Sequence, residues 1–149
     1  MQQVDDALCD LLKQAEATTA LVIDKGGFLI AHQGDSRRFD LTTIAALASG
    51  AYMANQTIAN LIHENNFDSV YQQGETFSMF VLCIDENCLL VVIFAARLGV
   101  GIVKYFATPA ARKIAVQIQR AHDRDPEAGF DLSELNVADT ESLFRKKRN

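Results

Sequence analysis

Residues 18–34 read TTALVIDKGGFLIAHQG. Two apolar strand patterns, 20–24 and 28–33, flank the turn Asp24-Lys25-Gly26-Gly27. Glycines after a strand often cradle phosphate, but only where a helix follows and turns its N-terminus toward the anion. Here a second strand follows. The pattern therefore predicts a hairpin, with Gly26 and Gly27 supplying the positive φ angles of a tight reversal.

Outward from this hairpin the periodicity changes. Upstream, residues 4–16 place Val4, Ala7, Leu8, Leu11, Leu12 and Ala15 at helical spacing, with acids early in the segment. Downstream, a polar loop at 35–38 leads to Asp40, a predicted N-cap, and to a helix that Asn65-Asn66 ends. Three strands follow at 67–73, 76–84 and 88–95. The last of them, CLLVVIFA, is apolar on both faces and belongs in mid-sheet. A final helix spans 99–123, with Ile102, Tyr105, Phe106, Ile114, Ile118 and Ala121 on or near one stripe. Thr108-Pro109 either kinks it or restarts it.

The order α-β-β-α-β-β-β-α predicts an α+β fold, a five-stranded antiparallel sheet sandwiched by helices. Residues 1–123 make one domain. Residues 124–149 make a C-terminal tail, in which DTESLFRKK has the pattern of a short amphipathic helix.

Composition narrows the function. Arg145, Lys146, Lys147 and Arg148 hold four of the fourteen basic residues, so ten face nineteen acids in residues 1–144, a net −9. An acidic body repels nucleic acid and anionic membranes. The longest apolar run, Cys88 to Ala96, is far short of the ~20 residues of a membrane-spanning helix. With no basic residue in Met1 to Asp10, no signal peptide is expected, and the reading is a cytoplasmic protein.

Recognisable chemistry is missing. Cys9, Cys83 and Cys88 are an odd number, which suits a reducing compartment. Cys83 and Cys88 flank a hairpin turn across which they would face each other, as small apolar strand residues. His32, His63 and His122 are scattered, so no metal site is expected. Asp85-Glu86 belongs to a hairpin tip. Gly99-Val100-Gly101 opens a helix, but Lys104 stands where a dinucleotide motif needs glycine. Neither a nucleophile elbow nor a phosphate-binding G-x-x-x-x-G-K-[ST] loop is present. No catalytic residue and no cofactor are predicted.

One feature is in surplus. From Leu41 to His63 the second helix has no Asp, Glu, Lys or Arg. Periodicity assigns Ile44, Leu47, Ala51, Ile58 and Ile62 to the sheet. The opposite side is then Ala45, Ala46, Ser49, Met53, Gln56 and Asn60, small or adaptable groups suited to a partner. The strand FDSVYQQG is short and alternately polar, as an edge strand is. Twofold pairing of that edge would continue the sheet into a second copy and set two second helices side by side.

The stretches LVIDKGGFLIA, TTIAALASGAYMANQTIANLI, FDSVYQQGE and LLVVIFAARLGVGIVKYFA resemble the roadblock / dynein light chain family, in its bacterial MglB type. That resemblance implies a roadblock/profilin-like fold and a homodimer through Phe67, Ser69, Val70, Tyr71, Gln72 and Gln73. It implies a partner, a small Ras-like GTPase of the MglA type, docked on the paired second helices and activated without an arginine finger. The contact residues it implies are Ala45, Ala46, Ser49, Gly50, Met53 and Gln56, with Phe144, Arg145 and Lys146 of the tail in a lesser role. Pro109 in the third helix, and Ala95-Ala96 where such proteins often carry acids, depart from the family pattern. A non-catalytic scaffold is the alternative. A small-ligand sensor is a further one, disfavoured by a core without convergent polar groups.

Overall fold

The computed structural model describes residues 2–124. The elements are α1 (Gln2–Ala15), β1 (Thr19–Asp24), β2 (Leu29–Gly34), α2 (Leu41–Leu61), β3 (Ser69–Gln72), β4 (Phe77–Cys83), β5 (Cys88–Ala95) and α3 (Val100–Arg124). The sheet is antiparallel throughout, in the order β2-β1-β5-β4-β3. This is the predicted architecture. β5 lies at its centre, and β3 forms one edge, hydrogen-bonded only to β4.

Side chains alternate across a pleated strand, so the two faces of the sheet carry separate cores. Ala20, Val22, Phe80, Leu90, Val92 and Phe94 point toward α1 and α3. Leu21, Ile23, Val81, Leu89, Val91 and Ile93 point toward α2. Because β5 feeds both cores, its side chains from Cys88 to Phe94 are all buried. Cys83 and Cys88 fall on opposite faces of the sheet and do not face each other across their turn.

The helices begin and end for local reasons. Asp40 caps α2, its carboxylate accepting from the Thr43 amide at 3.2 Å and the Thr43 hydroxyl at 2.6 Å. These bonds hold the Asp40 carboxyl below the usual range. The helix stops before Asn65-Asn66. His63 takes a left-handed φ of 64°, the Glu64 amide closes on the Ala59 carbonyl at 2.8 Å, and the His63 amide bonds Asn60 at 3.2 Å. α1 ends the same way at Glu16, with Ala17 bonded back to Leu12 at 3.1 Å.

α3 is one continuous helix through Pro109. Its buried stripe is Val103, Ala107, Ala111, Ile114 and Ile118, which leaves Ile102 and Tyr105 in solvent instead of on the core. The β1–β2 turn also departs in detail from expectation, since only Gly27, at φ 98°, is left-handed.

Candidate docking surface

α2 reaches its position through the hairpin turn. The Asp24 carboxylate accepts from the Phe28 amide at 3.0 Å, and the Gly27 amide bonds the Asp24 carbonyl at 3.0 Å, which closes the turn. The turn then rests on the helix. The Ser49 hydroxyl donates to the Lys25 carbonyl, and the Lys25 ammonium lies 5.7 Å from the centre of the Tyr52 ring. A Cβ on Gly27 would come within 3.2 Å of the Ala46 Cα. The missing side chain at Gly27 is what lets the turn press against the helix backbone.

Further along, α2 is tied to the loop before β3. The Gln56 amide nitrogen donates to the Phe67 carbonyl at 3.0 Å, and its oxygen accepts from the Phe67 amide at 3.3 Å. The Tyr52 hydroxyl donates to the same carbonyl at 3.3 Å. Burial, with smaller effects from Cys83 and Asp68, pushes the Tyr52 phenol up to about 12.

These contacts turn α2 by roughly a quarter turn from the predicted orientation, leaving Ile44 packed on the core as expected. The sheet-facing residues are Leu41, Ala45, Ala48, Ser49, Tyr52 and Ala59. Leu47, Ala51, Ile58 and Ile62, assigned to the core by periodicity, are in solvent, with Leu47 69% and Ile62 61% exposed. Of the six predicted contact residues, Ala46, Gly50 and Met53 are exposed. Ala45 and Ser49 are buried at 0% and 4%, and Gln56 is half-buried with its amide occupied by Phe67. Ala45 and Ser49 therefore build the platform, and Gln56 is tied into it through Phe67. Phe67 and Gln73 lie outside β3, which is limited to Ser69–Gln72. Phe144, Arg145 and Lys146, with the helix predicted for the tail, lie outside the described residues.

The uncovered arc of α2 has two sides. On one, Ile44, Leu47, Ala51, Ala54, Ile58 and Leu61 recur at alternating steps of three and four, the seam of a coiled coil. Ile44 is half-buried and the other five are exposed. This side adjoins the open sheet edge, since Ala51 and Asn55 line a small cleft together with Val70 and Gln72. The other side carries Ala46, Gly50, Met53 and Thr57 and adjoins the β1–β2 turn. The three-four alternation of apolar residues is the sequence signal that could have separated these sides.

Among the described residues, no group of three His, Cys, Asp or Glu side chains is placed to hold a metal ion. None of the helices described is long and apolar enough to cross a membrane. The arrangement offers apolar area and an open strand edge, which is the equipment of association.

The chain is similar in structure to Myxococcus xanthus MglB (28% identity, TM-score 0.76), covering 80% of this chain and 90% of that one. It is similar to the gliding protein MglB from Thermus thermophilus (31% identity, TM-score 0.72), covering 76% and 87%. A third structure, described as MglB with tetrameric arrangement, is 31% identical at TM-score 0.73 over 76% and 86%. No curated protein sequence matches the chain. The Roadblock/LC7 domain family model matches residues 4–94, nearly the whole span from α1 through β5, and the chain belongs to that family.

Proposed function

We propose that this protein is a cytoplasmic homodimeric regulator of a small Ras-like GTPase of the MglA type, itself without an active site. One observation carries the reading: the charge-free outer arc of α2, whose large apolar groups stand uncovered beside an open strand edge. The likeness to MglB structures supports it.

The two sides of the arc take different tasks. The seam is self-complementary when two copies run antiparallel. Ile44 then opposes Leu61, Leu47 opposes Ile58, and Ala51 opposes Ala54, which lets the helices come closest at their middle. Ser69 to Gln72 pair with their symmetry mates at the adjoining edge. Covering Leu47, Ile58 and Leu61 contributes roughly 1.5–3 kcal/mol for each side chain. The ridge of Ala46, Gly50 and Met53 stays open on both copies and receives the GTPase. As the resemblance to the MglB type implies, activation works by repositioning the GTPase's own residues, without an inserted arginine.

The test is a GTP-hydrolysis assay with an MglA-type GTPase. The expected result is a rate that rises with added protein and falls about tenfold or more with Ala46→Arg or Gly50→Arg, the fold being unchanged by circular dichroism. Unchanged binding and rate in both variants would remove this surface. Binding without any change in hydrolysis would make the protein a scaffold.

A further inference from the structure

On the opposite face of the sheet, α1 and α3 enclose an open groove of about 750 Å³. Its α3 wall presents Lys104, Tyr105, Pro109, Arg112 and Lys113, and its α1 wall includes Ala7 and Asp10. Tyr105, on the α3 wall, is 73% exposed, so the groove presents an apolar ring without a cover. Among the described residues the only ion pair is Arg38–Asp35, so the three cations of the α3 wall have no carboxylate partner there. In an acidic protein this wall is a local reversal of sign. Residues 100–124 contain five basic side chains and one acid.

The chain that leaves α3 has the complementary character. Residues 125–144 contain six acids and no base, and 130–137 read FDLSELNV, with Asp131 and Glu134 set among Phe130, Leu132, Leu135 and Val137. The groove centre lies some twelve to fifteen residues upstream of Arg124, about 18–22 Å back along the helix at 1.5 Å per residue. Residues 125–132 reach about 26 Å when extended, enough to return.

We propose that residues 130–137 of the same chain dock in the α1–α3 groove, their apolar side chains against Tyr105 and Pro109 and their carboxylates toward Lys104, Arg112 and Lys113. The arrangement holds on charge complementarity and reach, and it is independent of the GTPase reading. The tethered segment needs little intrinsic affinity, because a short linker supplies an effective concentration on the order of millimolar.

Amide hydrogen exchange on the full-length protein tests this. Residues 130–137 should exchange about tenfold more slowly than an unstructured chain, at a rate independent of protein concentration. Arg112→Glu with Lys113→Glu, both on exposed positions, should abolish the protection. Adding Asp131→Lys and Glu134→Lys to that variant should restore it. Leu132→Ser with Leu135→Ser gives a second route to release that leaves α3 untouched. Exchange at unstructured rates in the natural protein would overturn the proposal, as would protection indifferent to the charge reversal. Protection that grows with concentration would also overturn it, by placing the tail of another copy in the groove.

Discussion

Ser49 shows how much a single small side chain settles. Its hydroxyl holds the Lys25 carbonyl, and at 4% exposure it has no room for anything larger. Ser49→Arg therefore forces a charge against the sheet and should cost about 3 kcal/mol or more. Gly50→Arg, one residue on and with open space around its Cα, should stay within about 0.5 kcal/mol. Urea unfolding of the two variants checks this pair. A Ser49→Arg protein as stable as the natural one would mean α2 sits the other way round. Tyr52 makes a prediction in pH. Its phenol is raised from an ordinary 10 to about 12, chiefly by burial, so the folded protein holds that proton more tightly than the unfolded chain does. The associated stability is complete below pH 10 and lost as pH rises through 12. The urea midpoint should fall across that window, and Tyr52→Phe should flatten the fall. An equal slope in Tyr52→Phe would assign the effect to other groups.

At the scale of elements, the strands and helix starts were legible because their signals are local. β5 needed only a continuous apolar run, and the α2 start needed only Asp40 with Thr43 three residues on. Helix facing was legible in α1, whose buried residues are the predicted stripe, but not in α2 and only in part in α3, for the same reason twice. α2 and α3 meet the sheet with small residues, Ala45, Ala48 and Ala59 in one and Ala107 and Ala111 in the other, since close approach of backbone to sheet requires them. The large residues that usually announce a core are left outside, Leu47 and Ile58 on α2 and Ile102 and Tyr105 on α3. A helix apolar all round has no polar side to give its phase. What the seam of α2 does offer is a register. Leu47→Lys alone and Ile58→Glu alone should each yield monomers at micromolar concentration. The double variant should recover the dimer, because twofold symmetry sets the new charges opposite each other at both ends. Light scattering reads all three. A double variant as monomeric as either single one would refute the antiparallel register.

For the whole molecule, the sheet separates two independent surfaces. One carries α2 and the proposed partners, and the other carries α1, α3 and the groove. β5 is packed from both sides, and its alternate side chains serve one core each. The proposed site could be located from sequence only to its helix. Which side of that helix bears on the sheet depends on the hairpin turn, a contact more than twenty residues away in the chain. Sedimentation should show a dimer that dissociates on dilution, and Tyr71→Pro, which interrupts the open edge, should raise its dissociation constant about tenfold.

The open edge also limits growth. A contact that joins β3 to its own twofold copy uses β3 in both chains and leaves a β2 at each outer end of a ten-stranded sheet. Such a junction is closed: the operation that makes it cannot be repeated at the ends it leaves behind. Assembly through β3 stops at two copies, and any larger array of this protein must use other surfaces, the outer β2 edges or the helical faces.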